Sequence, residues 1–265
     1  MPDRLFGHKK DKWDERDYLY KKLVVIPSRV VLTLMPSVRD QGSVGSCVGF
    51  GIGASLCAEA KFLGIFSEWY SPTWVYNGAR FIDGSLLRDS GCEPGDAFSW
   101  LSKKGCLLEQ FWPYNPNKLD TSTPSSVREA QAIKYPEFLY NRVVDGATGI
   151  CSAIAEGHVV SIGNPWFDNW MEAPKGVLPE PSSSIVGGHE TCLYGYDQDL
   201  HIFYGQNSWG SDWGMGGRFT MPFSALDAFK GMGGYDAYCV TFAASPEPPP
   251  PVPKKRCWFL SLFSK

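Results

Sequence analysis

The chain reads as an α+β protein with its helices ahead of its strands. Helical signals occupy the first half: an apolar run at helical spacing over residues 47–63, a Ser-Pro opening at 71–72, and a proline-to-glycine segment at 94–105. Strand signals occupy the second half, as short apolar or β-branched runs at 159–162, 191–196, 202–206 and 218–221. The 265 residues are 43% hydrophobic and 20% charged, which gives ample core for one large domain or two modest ones. Helices followed by strands imply two halves with a cleft between them.

Taken in order, residues 1–37 form an N-terminal arm. It carries the charged patch Asp14-Glu15-Arg16-Asp17-Tyr18, then an apolar run at 23–26 and Pro27, and reads as a surface segment. In the helix over 47–63 the residues Val48, Ile52, Leu56 and Leu63 follow helical spacing, and only Glu59 and Lys61 are charged, so most of its circumference should be buried. Gly49, Gly51 and Gly53 lie inside it, each costing roughly 1 kcal/mol against alanine. Such glycines are tolerated where another backbone packs closely, and Gly64 is the stop. Ser71 caps a helix that has Pro72 in its first position and runs to about residue 82. Residues 94–104 form a further helix ended by Gly105, and 115–125 read as a loop. A short helix over 148–156 takes Thr148 as cap and Gly157 as stop. Residues 166–181 read as a loop-rich excursion.

The main domain spans residues 38–244, helical over about 40–140 and strand-rich over about 141–244. Residues 245–265 stand apart. Ser245 to Pro253 should form an extended polyproline spacer. Lys254-Lys255-Arg256 and a short apolar segment follow. That segment is too short to span a bilayer, but residues 254–265 could dock in a partner's groove or touch a membrane surface, or fold back onto their own domain.

The net charge of -3 offers no electrostatic case for binding nucleic acid. The eight cysteines contain no Cys-x-x-Cys pair, which argues against a zinc site. Setting one aside as a reactive thiol leaves an odd remainder. That fits free thiols in a reducing compartment, with one or two bridges left open. The N-terminus lacks an apolar signal region, so a cytoplasmic location is favoured.

The stretch 38–50 carries the first chemical signal. A loop containing Gly42 and Gly45 ends at Cys47, where the helix begins, and Gln41 stands six residues earlier. A cysteine in a first helical turn feels the positive end of the macrodipole, which favours thiolate. First-turn N–H groups also lack intrahelical partners and can donate to an oxyanion, with the Gln41 amide as a second donor. The alternative is a buried cysteine capping a core helix. The second signal is a hairpin. Residues 191–196 and 202–206 flank a turn at 197–200, and a fold about Gln198 sets His189 opposite Asn207, give or take a bulge. An amide oxygen there can orient an imidazole. His8, His158 and His201 have no comparable context.

These segments, in this order, resemble the active-site motifs of the papain family of cysteine peptidases. They stand here as Gln41 to Phe50, Gly188-His189 with Gly195-Tyr196-Asp197, and Asn207-Ser208-Trp209-Gly210-Ser211-Asp212-Trp213-Gly214. Val44 replaces a disulfide cysteine of the secreted members, and Val48 replaces a common tryptophan. The 14–18 patch is similar to the lead-in of bacterial and phage-type members. Those lack a long inhibitory pro-segment, and the 40 residues before Gln41 look too few for one.

The resemblance implies a papain-like two-lobe fold, a helical lobe facing an antiparallel β-barrel-like lobe across the cleft. It implies a peptide or protein substrate and no metal or organic cofactor. Cys47 would be the nucleophile, its pKa lowered by an ion pair with His189. Asn207 would hold the ring, and Gln41 with the Cys47 N–H would bind the oxyanion. Gly91, Gly188, Trp209 and Gly163 would line the substrate, with Gly91 lending backbone to an extended peptide and Gly163 near the pocket for the substrate's second residue. Trp209 would also shield the His189–Asn207 contact. Trp112-Pro113-Tyr114 resembles a structural segment of the family. Two alternatives remain: a ligase or transpeptidase using the same triad, and a non-catalytic binding or structural protein with a retained cleft.

Overall fold

The computed structural model describes residues 4–14, 17–21, 25–65, 68–181 and 184–242. The C-terminal spacer and the segment after it, and part of the charged patch and apolar run of the arm, lie outside these residues.

Helix α1 (Cys47–Phe62) is the spine of the first half. All but its last two residues are buried. Its glycines permit close approach: a Cβ on Gly49 would come within 2.6 Å of the Pro72 carbonyl oxygen, and one on Gly53 within 3.2 Å of the Trp69 ring. Gly64 leaves the helix at φ 68°. Helix α2 (Pro72–Ile82) is capped by Ser71, whose hydroxyl accepts the Trp74 N–H at 3.1 Å. Helix α3 (Pro94–Lys104) ends at Gly105, at φ 85°. A short helix, α4 (Ser126–Glu129), follows the expected loop.

Helix α5 (Gly146–Ala155) begins two residues before the expected start. Its cap is Asp145 in the left-handed region at φ 67°, not Thr148, because the chain leaves the preceding strand through Asp145 and Gly146, both at positive φ. Gly157 ends it as expected, at φ 99°.

The strands are β1 (Arg29–Val31), β2 (Leu139–Arg142), β3 (Val160–Phe167), β4 (Ile185–Asp197), β5 (Ile202–Gln206), β6 (Arg218–Pro222) and β7 (Asp236–Thr241). Helix α6 (Ala225–Gly231) lies between the last two. Strand β3 runs on into the expected loop, and β4 starts six residues earlier than its apolar pattern suggested. The added parts contain Gly163, Pro165, Gly187 and Gly188, poor strand formers that tertiary pairing overrides. Strand order is β2-β7-β3-β4-β5-β6, all antiparallel, with β1 paired to the far end of β4. The sheet is an open path among the described residues, so the barrel-like expectation resolves to an unclosed antiparallel sheet within an α+β fold.

The sheet divides two cores by its own alternation. Cys192 and Tyr194 of β4, with Tyr238 and Val240 of β7, face the helices and join Phe50, Trp74 and Phe98. Leu193, Tyr196, Ala237 and Cys239 face the other way, onto Trp166, Phe167 and Phe229. The described cysteines are all buried and unbridged. No helix among the described residues is long and apolar enough to cross a membrane.

Candidate active site

Cys47 is the first residue of α1, and the loop before it is tied down from several sides. The Gln41 N–H donates to the Ser208 carbonyl at 2.8 Å. Gly42 turns at φ 63°. The Gly45 N–H donates to the Asp89 carboxylate at 3.0 Å. Tyr114 closes the loop, donating to the Gln41 carbonyl at 2.6 Å while its hydroxyl lies 2.7 Å from that of Ser46. The aromatic-Pro-Tyr segment is thus a brace for the turn that presents Cys47.

His189 Nε2 and Asn207 Oδ1 are 2.8 Å apart and fully enclosed. The hairpin reaches this contact by a different register from the expected one. Asp197 pairs with Ile202 and Cys192 with Gln206, with a bulge between Leu193 and Gly195. The turn therefore centres about one residue later, and Asn207 is diagonal to His189 on the same face. His189 itself pairs with Asn164 of β3. Diagonal neighbours on one face are within reach of long side chains. Trp166 and Trp209 each pack 4.7 Å from the imidazole, centroid to centroid. The other ring nitrogen, Nδ1, is buried without a hydrogen-bond partner. Backbone N–H groups of Glu190, Gly7 and Val48 point at the Cys47 sulfur, so the thiol stands beside the peptide linking His189 to Glu190.

Gln41 completes the group. Its Nε2 donates to the Val44 carbonyl at 2.8 Å and to the Leu5 carbonyl at 3.2 Å, and its Oε1 accepts from the Ser208 hydroxyl at 2.7 Å.

Leu5 belongs to the arm, and here the structure corrects the sequence reading. The start of the arm is no loose surface segment: it runs along the cleft. The Arg4 guanidinium bonds the Asp40 carboxylate and the Trp209 carbonyl. Phe6 packs edge-on against His189 at 5.9 Å and Trp209 at 6.1 Å. The Cys92 N–H donates to the Gly7 carbonyl at 2.8 Å, and the Lys9 N–H to the Cys92 carbonyl at 3.0 Å. On the opposite wall the His8 N–H donates to the Gly188 carbonyl at 3.0 Å. A short arm therefore lies along the cleft, where the sequence pointed only to the lack of a long pro-segment. A cavity of about 690 Å³ lies elsewhere, lined by Lys10, Trp13, Asp145 and Lys230 among others.

The lining residues are sorted accordingly. Gly188 supplies a carbonyl to an extended strand. Gly91 does not lend its backbone to the arm; its N–H donates to the Tyr76 hydroxyl at 3.1 Å, and Cys92 makes the contacts instead. Gly91 is still needed at φ 70°, because a Cβ there would overlap the Gly7 carbonyl. A Cβ on Gly163 would overlap the His8 ring and the Glu190 carboxylate. Residues the sequence reading passed over are His8, Cys92, Glu190 and Asp236. Glu190 had a signal, a carboxylate one residue after His189 in an apolar run.

The electrostatics are those of a closed cleft. Burial pushes the Cys47 thiol up to about 12, with the Glu190 carboxylate adding to the rise. Burial pulls His189 down to about 3, against the opposing bond to Asn207. Both shifts favour the neutral thiol and the neutral imidazole while the arm is seated.

A thiol at a helix start beside an amide-oriented imidazole, in a cleft between a helical half and an antiparallel sheet, defines the thiol-hydrolase class of site. Residues 28–226 match the model of the papain family cysteine protease. The chain belongs to that family and is a cysteine peptidase. The crystal structure of xylellain, a cysteine protease from Xylella fastidiosa, superposes with TM-score 0.81 at 25% identity, covering 92% of this chain and 99% of that one. A peptidase C1-like protein of Acanthamoeba polyphaga mimivirus is 28% identical over 254 residues, 83% of this chain and 82% of the relative. A cathepsin B-like protein of Giardia intestinalis is 28% identical over 196 residues, 71% of this chain and 64% of the relative.

Proposed function

We propose that this chain hydrolyses peptide bonds through Cys47, His189 and Asn207, with Gln41 and the Cys47 N–H as oxyanion donors, and that residues 4–11 close the cleft until displaced. The observation carrying this reading is the 2.8 Å bond from His189 Nε2 to Asn207 Oδ1, which leaves Nδ1 without a partner and open to a proton. Release of the arm hydrates both reacting groups, which lowers the thiol pKa and raises that of the imidazole. The proton then passes from Cys47 Sγ to His189 Nδ1. The thiolate attacks the carbonyl carbon, the oxyanion takes the hydrogens of Gln41 Nε2 and the Cys47 N–H, and His189 returns its proton to the leaving amine. Water, deprotonated by His189, resolves the acyl-enzyme. Asn207, being neutral, orients the imidazolium without quenching it.

The test is digestion of a proteome-derived peptide library by the full chain against a Cys47→Ala control, with intact-mass detection of epoxide labelling. Cleavage and labelling confined to the chain with its thiol support the proposal. Labelling spread over other cysteines, or cleavage by the control, would reject it.

A further inference from the structure

The loop that presents Cys47 contains Gly42 and Gly45 and has no covalent tie, since the described cysteines are all free. Glycines leave such a loop free to move unless something outside it holds it. At Gly45, two residues before the thiol, the hold comes from Asp89. The Gly45 N–H points between both carboxylate oxygens, at 3.0 and 3.2 Å. Asp89 is itself fixed from behind. The Tyr76 hydroxyl of α2 donates to its Oδ1 at 2.6 Å. Burial, and next this bond, push the Tyr76 pKa up, so the phenol keeps the proton it donates. Arg80, one turn further along α2 and wholly buried, lies 4.1 Å over the Tyr76 ring. It donates to the carbonyls of Leu86 and Arg88, in the turn that leads into Asp89.

The same Tyr76 hydroxyl accepts the Gly91 N–H at 3.1 Å. Cys92, next in the chain, holds the arm through both its backbone groups, donating to the Gly7 carbonyl at 2.8 Å and accepting from the Lys9 N–H at 3.0 Å. Asp89 and Tyr76 thus join the loop before the thiol to the backbone that grips an extended segment in the cleft. None of their bonds involves the arm, so this link persists when the arm leaves. We infer that Asp89 is a positioning residue: braced by Tyr76, its carboxylate fixes the Gly45 peptide, and through it the Cys47 N–H, relative to the segment at Cys92. The inference rests on the proposed peptide hydrolysis. An oxyanion donor is effective only where the charge develops, and a misplacement of ~1 Å can cost ~10²-fold in rate. A carboxylate suits the task, because its hydrogen bonds are shorter and stronger than those of a neutral acceptor. Asp89 touches no reacting atom, so its effect is confined to alignment.

The test is Asp89→Ala in the full chain, read by two rates: peptide turnover, which needs the oxyanion donors, and alkylation of Cys47 by iodoacetamide, which does not. Release of the arm raises both, so their ratio reports the donors. The ratio of turnover to alkylation should fall by ~10–100-fold, and Asp89→Asn, which keeps an acceptor oxygen, should restore most of it. Tyr76→Phe should lower the ratio too. The double variant should lose no more than the worse single one, because the two side chains act as a unit. A ratio unmoved in Asp89→Ala, lowered equally in Asp89→Asn, or lowered multiplicatively in the double variant would overturn the inference. If Asp89→Ala fails to fold, Tyr76→Phe, which deletes one oxygen atom, decides. A peptide aldehyde separates this inference from the hydrolysis it rests on, since its adduct with Cys47 sets an oxygen against the same donors. Should the unmodified chain hydrolyse no peptide yet bind the aldehyde, weaker binding in Asp89→Ala, beyond any change in alkylation, supports the role of Asp89, and equal binding rejects it. Neither hydrolysis nor adduct in the unmodified chain would reject both readings.

Discussion

Gln41 Nε2 lies 3.2 Å from the carbonyl oxygen of Leu5, so the amide proposed to receive an oxyanion already holds a carbonyl of its own chain. With the Val44 carbonyl bonded at 2.8 Å, both hydrogens of that amide are engaged. A substrate must displace Leu5 before Gln41 can serve it. Phe6, next along, is held by edge-on contacts to His189 and Trp209. Aromatic pairs of this kind contribute ~0.5–1.5 kcal/mol each beyond their buried area. Phe6→Ala should raise kcat/KM of the full chain by ~10-fold or more, since 1.4 kcal/mol is a factor of ten. Steady-state hydrolysis at fixed pH checks this, and an unchanged or lower rate would show that the arm does not limit access.

Gln41→Ala separates the two duties of that amide. Loss of one oxyanion donor typically costs ~10²–10³ in kcat. The same change removes an anchor of Leu5 and should loosen the arm. Alkylation of Cys47 by iodoacetamide needs no oxyanion donor, so its rate should rise while turnover falls. If both rates fell together, Gln41 would be a support of the loop and no more.

The fold was legible wherever local chemistry and tertiary structure agree. Ser71-Pro72, Gly64, Gly105 and Gly157 mark helix ends whose dihedrals are local properties. The helix start at Cys47 and the contact of His189 with Asn207 were legible because a local cap and a hairpin set them. Strand β7 and the first part of β4 were not, since their pairing comes from distant segments. Strand β4 begins with Ile185-Val186-Gly187-Gly188, whose glycines accommodate the arm: a Cβ on Gly187 would overlap Phe6 and one on Gly188 the His8 carbonyl. The arm itself reads as polar because it binds through its backbone and a few charged groups, and no periodicity records that.

Glycine spacing in α1 yields a stability prediction. The three glycines suggested a close backbone neighbour, and at Gly49 that neighbour is the Pro72 carbonyl, at the start of α2. Gly49→Ala gains ~1 kcal/mol in helix propensity but sets its methyl 2.6 Å from that oxygen. Neither backbone can yield, because Ser71 is pinned by its bond to Trp112 O at 2.7 Å and by the cap it forms. Overpacking of this kind costs ~1–3 kcal/mol, so a net loss in thermal midpoint is expected. A midpoint equal to or above that of the unaltered chain would show that α1 and α2 can move apart.

Asp11 makes the seating of the arm depend on pH. Its carboxylate accepts the Gly95 N–H at 2.9 Å and the Tyr238 hydroxyl at 2.7 Å, with Asp236 and Arg142 also facing it. Burial first, and the Asp236 charge second, push its pKa from 3.8 up to about 7. Below 3.8 Asp11 is protonated whether the arm is seated or released, and the full stability of the seated form is present. As pH climbs towards 7 the released arm sheds the proton that the seated arm retains. Seating therefore weakens, by up to ~10-fold per pH unit, and levels off once the seated form also ionises. Asp236 works in the opposite sense at lower pH. Burial raises its pKa, but the donors from His8, Lys10 and the Asp11 N–H outweigh this and hold it below the usual carboxylate range. Its bonds to the arm are lost only as pH falls through that depressed value. Limited proteolysis of the arm should consequently accelerate between about pH 5 and 7 and then level off. Asp11→Asn, which mimics the protonated carboxyl in size and neutrality, should flatten the profile. A variant that kept the full acceleration would assign the pH dependence to another group.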